Sequence, residues 1–157
     1  MHNIHPCIWF EDQAEAAAQF YCSIFPNSQI KSVAYFGPGM QQPEGSVLCV
    51  SLLLNGLEFL AINVGPCFTR SQSMSLVVDC SNQAEIDELY ARLSAEPAEE
   101  VNFWIKDKYG VSWHILHQDF VAMIASSDKP TAQRVFAAAR QLDRQDVVKL
   151  QAAYDGP

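Results

Sequence analysis

The sequence predicts an α+β fold made of two similar modules in tandem, followed by a helical tail. Residues 12–15, DQAE, come directly after an apolar strand pattern and open a helix, and residues 82–85, NQAE, repeat this arrangement. Asn55-Gly56, between two apolar strand patterns, is the strongest hairpin signal in the chain. Residues 106–117 have the pattern of a tight turn followed by a strand. We interpret the repeat as a duplicated βαβββ module.

The first module, about residues 2–66, begins with a strand pattern over residues 4–10. Alternation along this strand places His5, Cys7 and Trp9 on one face. Because both faces are largely apolar, the strand is expected to be central in its sheet. The remaining elements are expected to be a helix that begins after residue 12 and strands over residues 29–36, 46–54 and 57–64.

The second module, about residues 73–118, is expected to be shorter than the first. Little chain separates its helix from its last strand, so the outer edge of its sheet is expected to be partly lost. Its expected elements are a strand over residues 73–79, a helix over 82–94, short strands near Glu100 and over 102–105, and a last strand over 111–117.

His114 is the most informative residue of this last strand. Alternation puts it on the face that also carries Ser112 and Leu116. An imidazole in that position either has its hydrogen bonds satisfied inside a core or lines a cavity, and the strand pattern leaves both open. Two other histidines have simpler interpretations, His2 as a terminal surface residue and His117 as a strand-end residue.

The tail, about residues 119–157, is expected to be helical. An apolar stripe on its middle helix is typical either of a cap over one end of the sheet or of a dimer contact. Asp143 is expected to cap the last helix, as Asp12 is expected to cap the first with Glu15 as its capping-box partner. The expected helices cover residues 120–124, 131–142 and 147–154, and the stripe consists of Val135, Ala138, Ala139 and Leu142.

Length and composition favour one ordinary globular domain over residues 1–157. The net charge of −8 argues against nucleic acid and acidic membrane surfaces as partners. The five cysteines are odd in number and include no CxxC pair, which argues against a disulfide framework and a thiolate zinc site. No apolar run is long enough to span a bilayer, and the first residues do not have the pattern of an export signal. A cytoplasmic location is therefore expected.

Several segments together resemble the vicinal oxygen chelate superfamily, which includes glyoxalases, bleomycin-resistance proteins and dioxygenases. Within it the chain is similar to the PhnB-like group, whose members are often labelled 3-demethylubiquinone-9 3-methyltransferase. Each segment is weakly specific by itself, and the set spans nearly the whole chain. The segments are residues 6–10 with 13–15 and 20–21, residues 24–28, residues 56–63 with 65–66, residues 106–110 with 112–113, and residues 132–135.

The resemblance implies two βαβββ modules that form a cupped mixed sheet around a cavity, usually in a homodimer. It does not make the methyltransferase label convincing. A typical methyltransferase holds its adenosyl cofactor on a glycine-rich turn after the first strand of a parallel sheet. Here the first strand leads into residues 11–13, EDQ, and the chain contains no GxGxxG. Methyl transfer is therefore the least favoured activity.

Metal-using relatives in this superfamily carry ligands on strands that face the cup. The resemblance puts His5 at the first of these positions and His114 at the last. The other two positions fall near Ala61, which cannot ligate, and near Ser73 or Ser75, whose neutral hydroxyls are poor zinc ligands. We therefore expect a cavity without a cofactor, with a weakly bound divalent metal on the two histidines as the alternative.

Two functions share this expected cavity. In an enzyme, His5 and His114 would act as general base and acid, or would hold a metal ion in a lyase, isomerase or transferase. In a binding protein without turnover, the cavity would hold a small, partly aromatic ligand. Either way the two imidazole rings are expected to converge on one cavity. The expected ligand-binding residues beside the histidines are Cys7, Trp9, Asn63 (a conceivable substitute oxygen donor) and Ser75.

Overall fold

The computed structural model describes residues 3–156. His2 and the outermost ends of the predicted domain lie outside this range. The chain forms two compact units, one ending at Thr69 and the other starting at Arg70, and each is described by itself. The boundary falls within the predicted linker between the modules. That residues 1–157 act as one domain stays a prediction.

The first unit contains the predicted βαβββ order. Its four-stranded mixed sheet has the order β1-β4-β3-β2, in which β1 runs parallel to β4 and the other neighbours are antiparallel. Strand β1 is shorter than expected and is an edge strand of this sheet. The prediction that it would be central was therefore wrong for this unit. The elements are β1 (Cys7–Phe10), α1 (Ala14–Ile24), β2 (Gln29–Tyr35), β3 (Val47–Leu54) and β4 (Leu57–Asn63).

Helix α1 covers one face of this sheet and leaves the other face open. Ala17, Ala18 and Tyr21 of the helix are buried, and so are Phe10 and Val50 on the sheet face beneath it. Burying these apolar side chains is the main stabilisation of the unit. The open face carries partly exposed side chains of β1, β3 and β4, namely Cys7, Trp9, Cys49, Leu60 and Ile62.

The second unit has a three-stranded sheet of order β5-β7-β6, with β5 parallel and β6 antiparallel to β7. The strand expected near Glu100 is reduced to a 3₁₀ helix over Pro97–Glu99 and a single bridge between Val101 and Trp104. The module is therefore βαββ, in agreement with the expected loss at its outer edge. The elements are β5 (Leu76–Cys80), α2 (Gln83–Leu93), β6 (Trp104–Lys106) and β7 (Ser112–His117).

Helix α2 packs on one face of this sheet. Ile86 and Tyr90 of the helix are buried, as are Ile105 and Ile115 of the strands. Since side chains alternate along β7, this arrangement leaves His114 on the opposite face. The helix thus determines which face of the sheet is available for a site.

The two helix starts that look alike in sequence differ in structure. At α2 the Asn82 side chain accepts a hydrogen bond from the Glu85 backbone at 3.0 Å, and the Glu85 carboxylate accepts one from the Ser81 backbone at 2.8 Å. At α1 the N-cap is Gln13, and no cap hydrogen bond comes from its side chain. The expected capping role of Asp12 was therefore wrong.

The tail forms three helices that pack within the second unit. Val135 and Ala139 join an apolar cluster with Leu116 and Phe103, and Ala138 and Leu142 pack against it. The apolar stripe is thus an internal cap and not an exposed dimer contact. The last helix is capped by Asp146, whose side chain accepts from the Lys149 backbone, and not by Asp143. The helices are α3 (Phe120–Ile124), α4 (Lys129–Ala139) and α5 (Val147–Asp155).

Within residues 3–156, no helix has the length and apolar character that crossing a membrane requires.

Candidate functional site

His114 lies on the face of β7 that α2 does not cover. In the sheet register it stands between Trp104 of β6 and Val77 of β5. Its Nδ1 atom is 2.7 Å from the Ser75 hydroxyl, just before β5. The structure therefore brings together two of the residues selected from sequence, His114 and Ser75.

Burial lowers the pKa of His114 below its usual value. The ring is accordingly neutral at neutral pH, with one nitrogen as donor and the other as acceptor. The hydrogen bond with Ser75 holds Nδ1, whereas Nε2 has no hydrogen-bond partner among the described residues. The neutral ring can thus offer Nε2 to a ligand, as a donor or as an acceptor according to the tautomer.

A cavity of about 540 Å³ adjoins this ring. Trp104 lines it beside His114, and the Trp104 side chain is only 8% exposed. Its indole Nε1 atom is buried and has no hydrogen-bond partner within the described chain. An unpaired buried donor costs about 1–3 kcal/mol, so a ligand oxygen placed there would gain a strong contact. The lining residues are Gln72, Glu99, Val101, Asn102, Trp104 and His114.

A tight turn places Trp104 at the cavity. Val101 and Trp104 exchange backbone hydrogen bonds of 3.2 and 2.8 Å around Asn102 and Phe103. Both turn residues have positive φ, 48° for Asn102 and 68° for Phe103. Such a conformation costs a non-glycine residue about 1–2 kcal/mol. Packing of the Phe103 ring against Phe120, with centroids 5.4 Å apart, offsets this cost.

Glu99 is the acidic residue of the cavity lining, and the positive charge of Lys106 already balances its carboxylate. Its carboxylate accepts a hydrogen bond of 2.7 Å from the Lys106 ammonium, which also lies 2.9 Å from Glu96. The bond from Lys106 lowers the pKa of Glu99. Glu99 is therefore a poor general base in this cavity.

Asp107, in the turn before β7, serves the fold. Its side chain is 1% exposed and accepts hydrogen bonds from the backbones of Tyr109 (2.8 Å) and Val111 (3.0 Å) and from the Trp113 indole (2.8 Å). These bonds hold the turn against the start of β7. The motif at residues 106–113 thus positions the strand of His114 without contacting the cavity itself.

The open face of the first unit carries Cys7 and Trp9, as predicted. Trp9 is 48% exposed and packs edge-on against Phe68, with ring centroids 6.1 Å apart. Burial raises the pKa of the Cys7 thiol, so Cys7 is protonated and weakly nucleophilic at neutral pH. His5 precedes β1 and is exposed. Convergence of His5 with His114, which belongs to the other unit, stays a prediction.

Asn63 does not lie on the open face. It pairs with Phe10, so it points to the helix side of the sheet, away from Cys7 and Trp9. Its Oδ1 accepts from the Ala14 backbone at 2.9 Å, and its Nδ2 donates to backbone carbonyls of Asp12 and Val47. The predicted ligand contact of Asn63 was therefore wrong, because its polar atoms hold the start of α1.

The donor set does not fit a catalytic metal ion. On β4 the positions paired with Cys7 and Trp9 are Leu60 and Ile62, which cannot ligate, and Ala61 faces the helix. His114 has only a neutral hydroxyl beside it, whereas catalytic zinc generally needs three protein ligands. Within residues 3–156 no group of three or more His, Cys, Asp or Glu side chains is placed to hold a metal.

Of the residues that line this cavity, sequence reasoning selected His114 and missed the other five, Gln72, Glu99, Val101, Asn102 and Trp104. Trp104 is buried, as strand tryptophans commonly are, so its residue type alone indicates a core position. Its role at the cavity depends on the register of β6 against β7, which pairs it with His114. The only local signal was the short strand predicted over residues 102–105.

A family model described as 3-demethylubiquinone-9 3-methyltransferase matches residues 2–116. The chain belongs to this family. None of the curated proteins matches it significantly. The match ends inside β7, so the three tail helices lie beyond the part of the chain that the family model describes.

Solved structures agree with this membership. A putative 3-demethylubiquinone-9 3-methyltransferase, PhnB protein, from Bacillus cereus is 34% identical; the match covers 73% of this chain and 99% of that one, with a TM-score of 0.61. A protein from Pseudomonas aeruginosa is 18% identical over 76% of this chain and 100% of that one, with a TM-score of 0.56, and shows the fold alone. The predicted resemblance to the PhnB-like group and the α+β fold class are confirmed.

Proposed function

We propose that this PhnB-like protein binds a small, oxygen-bearing molecule in the cavity beside His114. The observation that carries the proposal is the pair of unused polar atoms, Nε2 of His114 and the buried indole Nε1 of Trp104, on residues that line one cavity. A ligand oxygen would bond to His114, and a small movement of the cavity lining would let it also accept from the buried Trp104 indole. Ser75 holds the imidazole in place, so the ligand meets a ring that is already oriented.

The same geometry suits binding with or without turnover. With Nδ1–H donated to Ser75, the free Nε2 lone pair of His114 would act as a general base, and the lowered pKa keeps that lone pair available at neutral pH. His5, the other histidine selected from the sequence, would be the second acid–base group of such a reaction. Without a general acid close to the bound ligand, the site would bind the ligand without turnover.

We expect His114→Ala to weaken ligand binding by about 1–3 kcal/mol, the value of a lost buried polar contact. The measurement is a titration with phenol, acetophenone and benzoate, followed through the indole N–H signal of Trp104 in ¹⁵N-labelled protein. The thermal midpoint of unfolding should change little, since His114 is only half-buried.

His117→Ala is the matched control, because His117 lies on the same strand but does not line this cavity. Binding should be unchanged in that variant. A loss of stability in His114→Ala without any loss of binding would mean that His114 is a core histidine. Equal losses in His5→Ala and His114→Ala would support one shared cavity, and unchanged binding in His5→Ala would place His5 outside it.

The pKa of His114, followed by NMR, is expected to lie below the reference value of about 6.5. Because the folded state disfavours the charged ring, His114 makes no unfavourable contribution above the unfolded-state pKa. Stability is lost as the pH falls below that value towards the folded-state pKa. His114→Ala should remove this part of the acid destabilisation. A titration midpoint above the reference value would contradict the proposed neutral ring.

Metal-dependent chemistry and methyl transfer have less support. A metal-dependent lyase, isomerase or transferase needs ligands that the β4 positions do not supply. Methyl transfer, the activity in the family description, would need a cofactor site of another kind, since the chain has no GxGxxG turn. Neither activity has an observation in its favour at the His114 cavity.

Two further proposals come from the family resemblance and the composition. We propose a homodimer, which light scattering at micromolar concentration would detect as twice the 17.5 kDa chain mass, and a cytoplasmic location. The ligand contacts expected for Cys7 and Trp9 stay predictions.

A further inference from the structure

We propose that the tail helices build a second, apolar subsite next to His114, and that the natural ligand is amphipathic. Its oxygen-bearing head would occupy the cavity of Trp104 and His114, and its apolar group would lie against α3 and α4. This inference rests on the proposed function, because it assigns a ligand class to the same site.

The geometric basis is a second cavity of about 350 Å³ in the same unit. Asn102 and His114 line both this cavity and the first one. The two spaces therefore adjoin at these side chains, and in the proposal one molecule occupies both. Each volume lies in the range of about 300–1,000 Å³ that is usual for small-molecule sites.

The chemistry of the two cavities differs sharply. The first is lined by an indole, an imidazole and two amide side chains, Gln72 and Asn102. The second is walled mainly by apolar side chains, with the Arg140 guanidinium as its charged boundary. These apolar side chains are Phe103, Leu116, Phe120, Ile124, Phe136 and Ala139.

Phe136 is the side chain that most clearly indicates a ligand. It is 55% exposed on α4, although its neighbours Val135 and Ala139 are buried in the apolar cluster. An apolar group lying against it would be removed from water on both sides, which is favourable in proportion to the area buried. The helices that supply this wall lie beyond the family match, which ends at residue 116. The subsite would thus give this chain its own ligand preference.

A homologous series of 4-alkylphenols, from phenol to 4-hexylphenol, tests the proposal on the full chain. Binding is followed through the Trp104 indole signal, assigned by its absence in Trp104→Phe. We expect the dissociation constant to fall about three- to fourfold for each added methylene until the cavity is full. Phe136→Ala should weaken 4-butylphenol about five- to tenfold and leave phenol unchanged.

Val121→Ala is the control, since Val121 is exposed on α3 to a similar degree, 57%, and lines neither cavity. Dissociation constants that do not depend on alkyl length, with phenol still bound, would overturn the apolar subsite and leave the proposed function standing. A length dependence that Phe136→Ala and Val121→Ala affect equally would also overturn it. If neither phenol nor its alkyl derivatives shift the Trp104 signal of folded protein, the proposed function falls together with this inference.

Discussion

Replacing Asp107 with alanine is expected to lower the free energy of unfolding by about 3–5 kcal/mol. The carboxylate is 1% exposed and accepts from Tyr109, Val111 and the Trp113 indole. Its removal takes the acceptor from the buried Val111 N–H and Trp113 indole and from the partly buried Tyr109 N–H. Chemical denaturation followed by far-UV circular dichroism measures the loss.

Two further variants, a conservative replacement and an exposed control, help to interpret this measurement. Asp107→Asn keeps one oxygen for the backbone donors but turns an amide N–H₂ towards the Trp113 indole N–H, so an intermediate loss of about 1–3 kcal/mol is expected. Asp79→Ala, an exposed aspartate on β5, should change stability by less than about 0.5 kcal/mol. A loss below about 1 kcal/mol in Asp107→Ala would show that the turn holds without its carboxylate.

Asn63→Ala is expected to destabilise the first unit by about 2–4 kcal/mol while leaving phenol binding at the Trp104 cavity unchanged. Asn63 is 6% exposed, and its amide satisfies Ala14 N–H and two backbone carbonyls, those of Asp12 and Val47. An alanine leaves the buried Ala14 N–H and the partly buried carbonyls of Asp12 and Val47 without this partner. The variant therefore separates a structural asparagine from the ligand contact that the sequence suggested.

The readouts are a denaturation curve and the phenol titration, both performed on the same preparation. Asn3→Ala, at an exposed position, is the matched control and should alter neither. Weaker phenol binding in Asn63→Ala at unchanged stability would restore the ligand role and contradict the hydrogen-bond assignment.

Most elements of the fold could be predicted because their signals are local. The Asn55-Gly56 hairpin adopts positive φ at both residues, 47° and 82°, which is the conformation that these residue types favour in a tight hairpin turn. Helix α3 (Phe120–Ile124) has the predicted bounds, and α2 begins with the Asn82 cap that residue type predicts. Alternation along β7 also predicted correctly which residues share a face with His114.

The start of α1 shows where local reasoning fails. Asp12 and Glu15 have the spacing of a capping box, yet the Ala14 backbone donates to Asn63, 49 residues further along the chain. A capping pattern shows only that a side chain is able to accept a hydrogen bond from the start of a helix. Which acceptor reaches the helix end depends on how β1 and β4 pair, and that pairing is a long-range event.

The sequence by itself determined the repeated module, the hairpin turns and the face of β7 on which His114 lies, since each depends on dihedral preferences and alternation within a few residues. Only the tertiary structure decided what surrounds that histidine. Strand register pairs it with Trp104, the chain before β5 brings Ser75 to its Nδ1 atom, and the tail helices enclose an apolar cavity beside it. These neighbours lie 10 to 39 residues from His114 or beyond its own module, so no local pattern encodes them. Their placement follows from burying apolar faces against one another, and the candidate site is a consequence of that packing.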